Sequence, residues 1–85
     1  MLKIYVDYNM RETIGAVILR LDWELNLGIP ESLLAVGTRV MLYDETTECE
    51  AILRHGKYGD RWVADTLRET IRDLPEDQWD RLKKK

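Results

Sequence analysis

The sequence predicts one all-β domain, a small, partly open antiparallel barrel of five or six strands with a short C-terminal helix. The main observation is residues 36–66, where three runs rich in Val, Ile, Leu, Tyr and Trp are separated by two turn-like breaks. Alternation of side chains with period two is typical of half-buried strands. A chain of 85 residues has room for one small core, and closing its sheet leaves fewer unpaired strand edges.

The first of these runs has an inner and an outer side. Arg39, Met41 and Tyr43 fall on one side of an extended chain, and Val40 and Leu42 fall on the other. The apolar pair marks the side that faces the core. We therefore expect at least part of the opposite side at the surface or under the C-terminal helix.

The second run alternates in the same way. Its apolar side carries Cys49, Ala51 and Leu53. The opposite side consists of Glu48, Glu50, Ile52 and Arg54. Because Cys49 lies in the middle of a strand on the apolar side, we expect a buried, unreactive thiol.

One segment in the first half of the chain fits two structures. The elements before it are a strand over residues 3–8 and a polar turn over residues 9–13. Residues 14–25 place apolar side chains at helical spacing, but Gly15 and the β-branched Val17 and Ile18 lower helix propensity. We therefore favour a strand over about residues 14–23 and keep the helix as the alternative.

The second half of the chain ends in a segment with helical features. The elements before it are a helical turn at residues 30–32, turns at 44–47 and 54–60, a strand at 62–67 and a short closing strand at 70–73. From about residue 75, acidic residues precede basic ones, which suits a helix dipole. Trp79 and Leu82 either dock this helix on the sheet or stay exposed. Residues 1–85 form one domain.

Two sets of motifs carry a resemblance. Residues 37–43 and 62–64 resemble the strand pattern of SH3-like small barrels. The chain is also similar to small bacterial proteins that carry the motif Val-Asp-Tyr-Asn, here residues 6–9, and Arg-Val-x-Leu-Tyr-Asp-Glu, here residues 39–45. These proteins have no assigned activity, so the resemblance implies a fold and no catalytic residue. The acidic loop and paired tryptophans of peptide-binding SH3 domains are missing, so proline-rich ligands are not implied.

Residue types argue against an enzyme, a cofactor or a metal centre. The chain has one Cys and one His, Cys49 and His55, whereas a zinc site needs three or four ligands. The acidic hairpin around Asp44 and Glu45 matches no EF-hand loop, and no glycine-rich phosphate loop occurs. No apolar run approaches the ~20 residues of a membrane span. We predict a cytoplasmic protein without catalytic, cofactor or metal residues.

Protein interaction is the predicted function. The candidate surface is Arg39, Met41 and Tyr43, because exposed Tyr and Met are enriched in contact patches. Edge strands of a small sheet also offer a place for a partner strand. We predict a binding or accessory module that is a monomer or a weak homodimer.

Binding of single-stranded nucleic acid is the alternative function. The hairpin over residues 54–62 interleaves positive charge with aromatic rings, as a stacking platform does. Its candidate residues are Arg54, Lys57, Tyr58, Arg61 and Trp62. The overall charge argues against it, because thirteen Lys and Arg face sixteen Asp and Glu, a net charge of −3.

Overall fold

The computed structural model describes residues 1–57, 59 and 61–74, and this part of the chain is all-β. Its strands are β1 (Lys3–Tyr5), β2 (Arg11–Thr13), β3 (Ala16–Ile18), β4 (Arg39–Tyr43), β5 (Thr47–His55), β6 (Trp62–Thr66) and β7 (Arg72–Asp73). Single turns of 3₁₀ helix occur at Glu24–Asn26, Glu31–Leu33 and Arg68–Thr70.

The strands form one mixed sheet in the order β1-β4-β5-β6-β3-β2, and β7 pairs with β5. The central β4–β5–β6 meander is antiparallel, as predicted. β1, however, pairs with β4 in parallel. The long connection between β3 and β4 allows this pairing, because it carries the chain back to the start of β1. The all-β class is confirmed, but the predicted antiparallel barrel of five or six strands needs correction. Within the described residues, the sheet is mixed, has seven strands and does not close into a barrel.

Alternation along the strands sorts the side chains onto two faces, as predicted. Val40 and Leu42 are fully buried, whereas Arg39 on the same strand is exposed. Cys49 is also buried, at 1% exposure. The main core cluster consists of Ile4, Val6, Val17, Leu19, Val40, Leu42, Ala51, Leu53 and Ala64. The face that carries this cluster is the inner face, and the opposite face is the outer face.

Several predicted elements have different bounds. The ambiguous segment at residues 14–25 contains a strand, as favoured, but only over Ala16–Ile18 and not over the predicted residues 14–23. The predicted turn at residues 9–13 contains β2, which sequence reasoning missed because Arg11, Glu12 and Thr13 are all polar. Residues 30–32 overlap a 3₁₀ turn, as expected, and β7 provides the short closing strand.

The predicted helix from about residue 75, with Trp79 and Leu82, lies outside the described residues. Within them, the helical segments are single 3₁₀ turns. None of these is long and apolar enough to cross a membrane.

Candidate functional site

Aromatic side chains meet on the outer face of the sheet. The rings of Tyr5 and Tyr43 pack edge to face, with their centroids 5.5 Å apart. The Trp23 ring lies 6.0 Å from Tyr5, and the Arg20 guanidinium lies 5.8 Å from the centroid of Trp23. Together with Met41, the residues Tyr5, Trp23 and Tyr43 form what we call the aromatic surface. All four side chains are partly exposed.

The parallel pairing of β1 and β4 brings these residues together. Tyr5 is the register partner of Tyr43, and Lys3 is the partner of Met41. Paired residues share a face of the sheet, so Met41 and Tyr43 join residues that precede them by more than thirty positions. The predicted surface of Arg39, Met41 and Tyr43 therefore lies on one face, and Tyr5 and Trp23 enlarge it.

Trp23 owes its position to a buried amide that sequence reasoning missed. The Asn26 side chain accepts a hydrogen bond from the Tyr5 N–H at 2.8 Å and donates to the Tyr5 and Arg20 carbonyls at 2.8 and 2.9 Å. Asn26 is only 1% exposed. Its one sequence signal is an amide placed between Leu25 and Leu27. The amide holds the loop that carries Trp23 against β1.

The hydrogen bonds of Asn26 also occupy the open edge of β1, the edge that does not pair with β4. Met41 donates to the Leu2 carbonyl, and Val6 donates to the Tyr43 carbonyl, so alternate residues of β1 pair with β4. The backbone groups of Tyr5 point to the open edge, where Asn26 binds both of them. An added strand therefore cannot pair with β1 at Tyr5.

Carboxylates of the neighbouring hairpin are all engaged with protein groups. Glu45 accepts a hydrogen bond from the Tyr5 hydroxyl, and burial together with Glu45 raises the pKa of Tyr5. Glu48 is 4% exposed and paired with Arg72, and Glu50 is paired with Arg39. Asp44 accepts from the N–H groups of the turn at residues 46 and 47. Glu48 is therefore a buried carboxylate with an internal counter-ion.

The predicted nucleic-acid platform is divided between the two faces. Arg54 is the register partner of Val63, whereas Trp62 is the partner of His55. Neighbouring residues of a strand point to opposite faces, so Arg54 lies on the outer face and Trp62 on the inner one. The Arg54 guanidinium also contacts Asp65 at 2.8 Å and Glu12 at 3.0 Å.

The other platform residues differ in exposure. Trp62 packs against the core and stacks on His55, with ring centroids 4.5 Å apart. Lys57 and Arg61 are exposed, and Tyr58 lies outside the described residues. Within the described residues, Trp62 therefore lies on the opposite face from Arg54.

Cys49 and His55 do not meet. They lie six positions apart on β5, about 20 Å along an extended strand. The Cys49 sulfur lies 3.2 Å from the Glu50 carbonyl oxygen inside the protein, and His55 is exposed. Within residues 1–57, 59 and 61–74, no three His, Cys, Asp or Glu side chains are grouped for metal binding.

Comparisons with models of known protein families, with curated proteins and with solved structures find no match.

Proposed function

We propose that this protein is a non-enzymatic interaction module that binds a partner protein through the aromatic surface. The observation that carries the proposal is the contact of Tyr5 with both Tyr43 and Trp23 beside Met41 on the outer face. Tyr, Trp and Met are the side chains enriched at the centre of protein interfaces. They supply large contact area with few rotatable bonds.

The surroundings of this surface support the same function. Ion pairs border it, with Arg39 on Glu50 and Arg20 on Asp22 at 2.8 Å. An apolar centre with a polar rim is the usual arrangement of an interface. Asn26 holds the Trp23 loop before any partner arrives, which reduces the conformational entropy lost on binding.

Surface variants test the proposal. Proteins captured from the native host by the parent chain are identified, and the recovered partner is then purified and titrated by calorimetry. We expect the double variant Trp23→Ala, Met41→Lys to weaken binding by about tenfold or more, as loss of an interface centre does. Ile14→Ser is the matched control, because Ile14 is 90% exposed at the distant β2–β3 turn. Equal binding by the parent and the double variant would contradict the proposal.

A titration with single-stranded DNA separates the alternative function. If the aromatic surface binds protein, a fifteen-residue oligo-dT added at low salt leaves tryptophan fluorescence unchanged. Quenching that weakens steeply with salt, and is lost in Arg61→Glu, would instead favour the hairpin at residues 54–62.

A further inference from the structure

A cavity on the inner side of the sheet lies apart from the aromatic surface and is unrelated to the proposed function. It has a volume of about 350 Å³ and lies where β2, β3, β5 and β6 meet the segment before β7. Cavities of about 300–1,000 Å³ are the usual size for small-molecule sites. The volume is therefore sufficient for a small ligand.

The lining of the cavity is mainly apolar. Val17 and Cys49 are 3% and 1% exposed and form its deeper part, while Ile71 is 53% exposed and lies at its rim. The ring of Tyr8 contributes another wall. A ligand that fits here therefore has an apolar body.

Most polar atoms around the cavity are already bonded within the protein. The Tyr8 hydroxyl donates to the carbonyls of Leu42 and Thr47 at 3.1 and 3.2 Å. The Thr66 hydroxyl donates to the Gly15 carbonyl at 3.0 Å. Neither hydroxyl has its hydrogen available, so they do not select a ligand that needs a donor.

Arg11 is the exception in this lining. It is exposed, borders the cavity and is the register partner of Val17. Among the described residues it makes no ion pair, whereas Arg20, Arg39 and Arg54 each contact a carboxylate. A guanidinium presents paired donors that match a carboxylate. As far as the described residues go, the rim of this apolar cavity thus carries a cation without an internal counter-ion.

We propose that this cavity binds a small amphipathic carboxylate, with its apolar body against Val17, Cys49 and Ile71 and its carboxylate on Arg11. The charge at the rim selects an anion, and the apolar depth selects a hydrocarbon or aromatic body. The ligand class is therefore a medium-chain or aryl carboxylate. An amine of the same length binds more weakly because it meets Arg11 with like charge.

Titrations with three probes of one length test the proposal. Octanoate, 1-octanol and octylammonium are added to the ¹⁵N-labelled full chain, and amide shifts are followed by NMR. We expect octanoate to saturate, with amide shifts centred on Gly15, Cys49 and Ile71. Octylammonium should bind with an affinity at least about tenfold lower, which is the effect of one charge-assisted pair. Octanoate also slows modification of the Cys49 thiol.

Two variants at the rim sharpen the test. Arg11→Gln weakens octanoate about tenfold and leaves 1-octanol unchanged. Ile71→Glu also abolishes octanoate binding through like charge. Arg68→Gln is the matched control, an exposed arginine that makes no ion pair within the described residues and does not line the cavity. Octanoate shifts confined to the aromatic surface, or unchanged affinity in Arg11→Gln, would overturn the proposal.

Discussion

Two connections of this chain are each held to the sheet by a single polar side chain, and the two side chains differ in charge and burial. Asn26 holds the loop after β3 against β1, across 21 residues of sequence. Glu12 on β2 holds the β5–β6 hairpin, across 42 and 45 residues. Both stabilise long-range contacts that the strands alone do not make.

The environment explains which side chain serves in each place. Asn26 is 1% exposed, and its neutral amide supplies both the acceptor and the donors that Tyr5 and Arg20 need. Glu12 keeps a 19% exposed side chain, and its carboxylate accepts from Arg54 at 3.0 Å and from the Lys57 N–H at 2.7 Å. At the buried position of Asn26 a neutral group makes its hydrogen bonds without the desolvation cost of a charge, whereas the partial exposure of Glu12 makes a charge less costly.

Adding a charge to the buried position is expected to have the largest effect. In Asn26→Asp, a carboxylate oxygen takes the place of the amide nitrogen, which donates hydrogen bonds to two carbonyls. At neutral pH we expect a loss of roughly 3–5 kcal/mol in the free energy of unfolding, the cost of leaving a charge buried without a partner. Urea unfolding measures this loss.

The pH dependence of this variant identifies the cause. Burial raises the pKa of the introduced carboxyl in the folded state above its unfolded value of about 4. The acid form is tolerated, so the loss relative to the parent is smallest below pH ~4 and grows as pH rises to the raised pKa. A loss that stays constant from pH 4 to pH 8 would contradict this account.

Removing the buried amide is expected to have the next largest effect. Asn26→Ala leaves the Tyr5 N–H and the carbonyls of Tyr5 and Arg20 without their partner. We expect a loss of roughly 2–4 kcal/mol, the same at every pH when compared with the parent. Hydrogen exchange of the Tyr5 amide should also accelerate. Asn9→Ala is the control, because Asn9 is exposed; a loss no larger than in that control would show that water replaces the amide.

The difference between local patterns and long-range contacts explains which parts of the fold could be predicted from sequence. The β4–β5–β6 meander follows from local alternation, since Val40, Leu42 and Leu53 mark the buried face without any knowledge of their partners. The burial of Cys49 follows from the same pattern. Strand β1 was also anticipated, but its parallel partner was not, because pairing over such a separation leaves no local pattern.

The candidate site was predictable only in part for the same reason. Alternation placed Met41 and Tyr43 on one side of β4, but Tyr5 and Trp23 join them only through tertiary contacts. Arg54 and Trp62 of the proposed hairpin platform lie on opposite faces, because adjacent residues of β5 and β6 alternate between faces. The contacts of Asn26 are likewise invisible before the sheet order is known.

Removing the charge from the exposed position is expected to have the smallest effect. The Lys57 N–H and then the Arg54 guanidinium hold the pKa of Glu12 below its ordinary value of 4.5. A lowered pKa means that the ionised form stabilises the folded state above the unfolded pKa, and that this contribution is lost as pH falls through the folded pKa. In Glu12→Gln we therefore expect a smaller loss of stability at pH 7 than in Asn26→Ala. In acid, the stability of the variant should converge with that of the parent. Added salt narrows the gap by screening the pair with Arg54. Thermal midpoints at several pH values measure both trends, with Glu69→Gln as the exposed control. A difference in thermal midpoint between parent and variant that does not change with pH would show that Glu12 acts through packing and not through its charge.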